Sequence, residues 1–139
     1  LAMFERFAAQ DLEKIRAKTI RVHDSGDFFS QAYLDTWFRL IEKFPKKRFY
    51  CYTKSLHLDW TAIPLNFRMI QSVGGKLDHL IDRSAPHTQV FVTVGQRKRA
   101  GYLDGNQTDR PAMDGKTRIG FVYHGTKRLT LQQERQLQP

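Results

Sequence analysis

The chain has 139 residues, of which 40% are hydrophobic and 12% aromatic, a composition that excludes a disordered chain and suits one compact domain. Its 23 Lys and Arg residues against 14 Asp and Glu residues give a formal net charge of +9, which favours polyanionic partners such as nucleic acid or nucleotides, although a basic domain without such a partner is the alternative. The single cysteine, Cys51, excludes an internal disulfide. With no membrane-length apolar run and no signal-peptide layout, we predict a cytoplasmic protein.

Two amphipathic helices are predicted in the first third of the chain, with a strand between them. Apolar residues recur at helical spacing from Met3 to Ile15, and alternation in Thr19 to His23 indicates a strand. Ser30 is a suitable N-cap for the second helix, which Pro45 ends. Phe29 before this cap predicts a hydrophobic staple against the helix.

The rest of the chain continues with strands separated by short helices and loops. The pattern of residues 76–83 predicts a short helix. Residues 88–94 are almost continuously apolar, which predicts a strand buried on both faces. Residues 96–118 predict a long irregular polar stretch. The predicted strands are residues 19–23, 48–55, 67–73, 88–94 and 118–125.

This order of elements predicts an α/β fold with βαβ units and a mostly parallel sheet of about five strands. Five strands are too few for a complete eight-stranded barrel, so the sheet is expected to be open or a partial barrel. We expect a single α/β domain over residues 1–139, and an uncovered sheet edge makes a homodimer a reasonable expectation.

Polar and small residues follow nearly every predicted strand, where ligands sit in parallel α/β sheets. Carboxylates, a lysine and histidines could bind a cation, a ribose hydroxyl or an amino group, or transfer protons. The catalytic candidates are His23, Asp24, Asp27, Lys54 and His124. The ligand-binding candidates are Ser25, Gly26, Ser55, Gly74 and Gly75, the two last because glycines allow a close approach to the backbone.

Other interpretations remain open for these residues. Asp, Ser and Gly are ordinary turn formers, and Asp27 would also favour the N-terminus of the following helix. Metal-dependent hydrolysis through His23, Asp24, Asp27 and His124 is a further hypothesis, but these residues do not follow a recognisable ligand pattern, and no metal site is predicted.

A second function class depends on the basic run Arg97, Lys98 and Arg99. This run is the densest cationic patch of the polar stretch 96–118 and a natural place for phosphate contacts. It predicts a nucleic-acid-binding or protein-binding module without catalysis. Cys51 lies in the middle of a predicted strand and is expected to be a buried apolar side chain, not a nucleophile.

The segment "RVHDSGDFFSQAYLDTWFRLIEKFPKKRFYCYTKS" resembles the phage gene product 88 family, as do the later stretches "GGKLDHLIDRSAPHTQVF" and "KTRIGFVYHG". "HDSGDF" is the most specific part. The resemblance implies a phage or mobile-element protein. Together with the residues that follow the strands, it leads us to expect a pocket there for a nucleotide-like or cofactor-like small molecule.

That family is distantly similar to radical S-adenosylmethionine proteins, whose partial barrels hold a cluster through three cysteines. The analogy implies that Gly26 and Asp27, with Asp24, sit where such barrels hold the cofactor's amino group. This chain lacks the cysteine triad, so no iron–sulfur cluster is expected, and it looks shortened at its N-terminus relative to longer family members.

Overall fold

Six parallel strands form one sheet among residues 1–123, the part of the chain that this computed structural model describes. Their order across the sheet is β1-β2-β3-β4-β6-β5, with every neighbouring pair parallel. The predicted parallel α/β fold is therefore confirmed, with one strand more than expected. The strands are β1 (Thr19–Arg21), β2 (Arg48–Thr53), β3 (Phe67–Ser72), β4 (His87–Phe91), β5 (Leu103–Asp104) and β6 (Arg118–Val122).

Four helices accompany the sheet in this part of the chain, and Ser30 caps the second of them as predicted. Its Oγ accepts a hydrogen bond from the N–H of Tyr33 at 3.2 Å. The predicted staple does not form, because Phe29 is 72% exposed and stacks on the ring of Tyr33. The helices are α1 (Ala2–Lys14), α2 (Gln31–Glu42), α3 (Val94–Arg99) and α4 (Arg110–Met113), and a single 3-10 turn spans Asp78–Leu80.

The sheet curls into a half-barrel. The rings of Tyr52 on β2 and Phe121 on β6 lie 5.5 Å apart between centroids, although β3 and β4 separate their strands in the sheet. The register is strongly stepped, since Gln71 near the end of β3 pairs with His87 at the start of β4. Such a step is what tilted strands need in order to curl toward a barrel.

The two faces of the sheet have different cores. On the outer face, Phe49 and Cys51 pack against buried residues of α2, among them Leu34 and Ile41. On the inner, concave face a smaller cluster is filled by side chains from the strands and from α4. This inner cluster contains Tyr50, Ile70, Ala112 and Ile119.

Two expectations for the second half of the chain are wrong. The apolar run 88–94 is not one strand buried on both faces, because Val90 is 59% exposed and Thr93 caps α3 by accepting from the N–H of Gln96. Residues 96–118 are not irregular throughout, since they contain β5, α4 and most of α3. Elements of two to six residues are too short to produce a readable periodicity.

Candidate functional site

Asp27 fastens the acidic turn after β1 to the end of β2. Its Oδ1 accepts hydrogen bonds from Thr53 Oγ1 at 2.6 Å and from the N–H of Phe28 at 2.8 Å. Its Oδ2 accepts from the N–H of Lys54 at 2.8 Å. Ser55 completes the connection, with its Oγ donating to the carbonyl of Phe28 at 2.7 Å. Both carboxylate oxygens of Asp27 are thus engaged within the protein.

His23 lies beneath this turn among aromatic rings. Its backbone adopts a left-handed conformation, with φ of 63°. Its Nε2 shares a hydrogen bond of 2.7 Å with the hydroxyl of Tyr33, and its ring lies 4.6 Å from that of Phe28. Nδ1 is buried and has no partner among residues 1–123. Burial lowers the pKa of His23, and the carboxylate of Asp27 offsets only part of this effect.

The tip of the turn points into solvent. Asp24, Ser25 and Gly26 are all exposed, and the nearest charged group to Asp24 is Arg21, at 3.9 Å. Gly26 has φ of 85°, a conformation that glycine adopts without strain. The two aspartates of the turn therefore differ, because Asp24 is open to solvent whereas Asp27 is an anchor.

Lys54 extends from the end of β2 over the glycine turn that follows β3. The Cδ of Lys54 would lie 3.2 Å from a Cβ placed on Gly75, and the Nζ of Lys54 is 3.5 Å from the carbonyl oxygen of Gly74. The N–H groups of both glycines donate to the carboxylate of Asp78 at 2.9 to 3.1 Å, which lowers the pKa of that carboxyl. Lys54 itself remains exposed.

The concave face presents aromatic and cationic residues toward the C-terminal ends of its strands. Register partners in a parallel sheet share a face, so Arg21 faces the same side as Tyr50, and Val90 the same side as Phe121. We call this surface the bowl: Tyr52 and Phe121 are in ring contact at its centre, Arg21, Ser72 and Val90 share their face by register, and Lys54 and Tyr123 directly follow β2 and β6.

A polar cluster below the bowl escaped the sequence analysis. The hydroxyls of Tyr50 and Tyr52 both donate to the carboxylate of Asp109, the second at 3.1 Å. Arg21 lies 3.9 Å from the same carboxylate and 4.9 Å above the ring of Tyr52. Burial, reinforced by the Asp109 carboxylate, raises the pKa of both phenols. The cluster ties the residue preceding α4 to β2.

The run Arg97, Lys98 and Arg99 is divided by the fold. Arg97 is buried on the outer face and forms an ion pair with Asp104 at 3.2 Å, so its guanidinium is not offered to a partner. Lys98 and Arg99 are exposed, and Arg99 lines a cavity of about 560 Å³ between β4 and α3. Its other lining residues are Gln89, Val90, Phe91, Val92, Gln96 and Ala100.

The structure thus brings together Asp27, Lys54 and Ser55, with Gly74 and Gly75 beneath the Lys54 side chain. His124 lies outside the described residues. Among residues 1–123, no group of three or more His, Cys, Asp or Glu side chains is placed to hold a metal ion. Within the same residues, every helix is too short or too polar to span a bilayer.

Comparison with known proteins gives one match. The family model described as Gene product 88 matches residues 2–137. Neither a curated protein nor a solved structure matches the chain.

Proposed function

The chain belongs to the gene product 88 family, and from that premise we propose that it is a phage-type or mobile-element-type α/β protein that binds a small anionic, nucleotide-like molecule in the bowl. The site follows the general preference of parallel α/β sheets for ligands at the carboxyl ends of their strands. The ligand class follows from the side chains that surround the bowl.

One observation carries the proposal: two cations and three aromatic rings from three strands, β1, β2 and β6, and the residues that directly follow them surround one concave surface. The cations are Lys54 and Arg21, of which Arg21 also lies 3.9 Å from the carboxylates of Asp24 and Asp109. The rings are those of Tyr52, Phe121 and Tyr123, of which Tyr123 is 54% exposed. A cation attracts a phosphate or carboxylate, and an aromatic ring offers a face on which a planar base stacks. A nucleotide joins these two features in one molecule.

The cavity between β4 and α3 is a weaker candidate for this function. It is large enough for a small molecule, but one strand and one helix supply its whole lining. Its one cation, Arg99, lies against Gly95 within the same helix. The bowl collects polar and aromatic groups from several strands, as ligand sites in α/β folds do, and is preferred for that reason.

The proposal is tested by thermal unfolding and calorimetry with AMP and ATP as anionic probes and with S-adenosylmethionine, a nucleoside that has a carboxylate but a net positive charge, as a third probe. A probe at 100 times its dissociation constant stabilises the folded protein by about 2.7 kcal/mol, which raises the melting temperature by several degrees. The substitution Lys54→Gln is expected to remove most of this shift. Lys76→Gln is the matched control, because Lys76 is also exposed and directly follows the glycine turn.

Two results would contradict the proposal. One is the absence of any shift with all three probes at millimolar concentration. The other is a shift that Lys54→Gln leaves at its full size, since the ligand would then bind elsewhere.

A further inference from the structure

The positive charge of this protein is concentrated in two short segments. Residues 14–18 and 43–48 contain seven Lys and Arg residues and no Asp or Glu. Without these seven cations the net charge would be +2 instead of +9. We call this set the basic edge: Lys14, Arg16, Lys18, Lys43, Lys46, Lys47 and Arg48.

The fold joins the two segments at the N-terminal ends of β1 and β2. Lys47 Nζ donates to the carbonyls of Ile15 at 2.6 Å and Ala17 at 2.9 Å. The N–H of Arg48 donates to the carbonyl of Lys18 at 2.7 Å. The basic edge therefore lies at the opposite end of the strands from the bowl, and the two surfaces are independent.

Most of the basic edge is exposed and lacks internal counter-charges. Arg16, Lys18, Lys46 and Arg48 are exposed, and none of them forms an ion pair within residues 1–123. Like charges gathered on one surface repel each other, and a polyanion relieves that repulsion. A shallow cavity of about 230 Å³ opens in the second segment, lined by Lys43, Phe44, Pro45, Lys46 and Lys47.

We infer that the basic edge binds the phosphate backbone of nucleic acid without reading its sequence. Ammonium and guanidinium groups contact phosphate oxygens, whereas sequence is read by side chains that reach base edges. The two segments contain a single aromatic residue, the partly buried Phe44, so they offer little surface for base stacking.

A nucleic acid fits this surface better than a lipid bilayer does. A membrane-inserting surface presents several large apolar side chains beside its cations. Here Ile15 is the one large apolar side chain of the two segments that is exposed. The exposed Leu1, Met3 and Phe7 lie at the N-cap and in the first half of α1, away from Lys14 at its C-terminal end.

The test is fluorescence anisotropy with a labelled DNA duplex and a labelled single-stranded RNA at several salt concentrations. The variant replaces Arg16, Lys18, Lys46 and Arg48 by Gln, leaving Lys47 in place because it holds two carbonyls. Its control replaces four other exposed cations, Lys76, Arg83, Lys98 and Lys116, by Gln, so both proteins carry the same net charge. Circular dichroism melts verify that both are folded.

We expect the basic-edge variant to bind at least about tenfold more weakly in low salt, and the log–log salt slope for duplex DNA to become shallower by about 3 to 4 if each cation contacts one phosphate. The control is expected to lose much less affinity. The inference is overturned if the wild type binds neither probe at low salt, or if both variants lose affinity equally. Binding to phosphatidylserine vesicles but not to nucleic acid would also overturn it.

Discussion

The carboxylate of Asp27 accepts a hydrogen bond from the backbone N–H of Lys54, so the acidic turn after β1 and the end of β2 form one rigid unit. Asp27→Asn replaces one acceptor oxygen by a donor that faces Thr53 Oγ1 or the Lys54 N–H. We expect a loss of about 1 to 3 kcal/mol in the free energy of unfolding. Urea denaturation measures it.

Asp24→Asn is the control for this prediction, because Asp24 belongs to the same turn but is exposed and 3.9 Å from its only charged neighbour among the described residues. Its substitution should change the stability by less than about 0.5 kcal/mol. Equal effects at the two positions would show that Asp27 is not an anchor.

The free energy of unfolding is expected to decrease as the pH is lowered through the range in which histidine in the unfolded chain becomes protonated. The folded protein lowers the pKa of His23, so below the ordinary value of 6.5 the unfolded chain binds the proton more readily than the folded chain. The contribution of His23 is therefore complete above pH 6.5 and is lost as the pH falls through its lowered pKa. Urea midpoints measured from pH 8 to pH 5 follow this loss.

His23→Asn should flatten that profile, since Asn tolerates the left-handed backbone and has no titrating group in this range. Ser25→Ala, an exposed change in the same turn, should retain the wild-type profile. A steep decline that persists in His23→Asn would assign the pH dependence to other groups.

Cys51 should not react with thiol reagents in the folded protein. Its side chain is fully buried against the helical face of the sheet, and this burial raises the pKa of its thiol, with a smaller contribution from Asp27. Since the thiolate is the reactive form, modification by Ellman's reagent requires unfolding. Rapid labelling in native buffer, at the rate found in urea, would contradict this expectation.

Two tyrosines should ionise only at strongly alkaline pH. Burial and the Asp109 carboxylate raise the pKa of Tyr50 and Tyr52, so the stability that these neutral phenols contribute is complete below pH 10 and is lost as the pH rises past it. Absorbance at 295 nm follows the phenolates.

Replacing Tyr50 and Tyr52 by Phe should remove amplitude from the latest part of this titration, and Asp109→Asn should shift it to lower pH. An unchanged amplitude in the double variant would mean that other phenols ionise last.

Arg97 should matter for folding. Its side chain is nearly buried beside Gly120 and forms an ion pair with the less buried Asp104. Arg97→Gln leaves Asp104 without its partner, and we expect a loss of about 2 kcal/mol, below the range for a fully buried pair. Lys98→Gln, on the exposed side of the same helix, should be close to neutral. Denaturant unfolding compares them, and equal stabilities would refute this role for Arg97.

The parallel sheet and the cap at Ser30 could be predicted because they depend on residues close together in sequence. The distinct roles of Asp24 and Asp27 could not, since Thr53, whose hydroxyl donates a hydrogen bond to Asp27, lies 26 residues away. The same limit hid Asp109, whose tyrosine partners precede it by 57 and 59 residues.

Exposure in the sheet was equally hard to predict. Val90 sits in an apolar run that suggests burial, yet β3 pairs with β4 only through Ser72 and the residue before it. The residues around Val90 do not indicate that the neighbouring strand β3 ends early. The net charge was visible in the composition, whereas the contact between residues 14–18 and 43–48 required the fold.

The short pairing between β3 and β4 makes this junction the weak point between the two halves of the sheet. Two register pairs join these strands, whereas five join β2 to β3 and five join β4 to β6. Parting the sheet between β3 and β4 breaks only two register pairs, as few as join the edge strand β5 to β6, and it leaves the large outer-face core around β2 intact. We therefore expect the segment that contains β5 and β6 to open as one cooperative unit. Its backbone amides should exchange with deuterium sooner than those of β2.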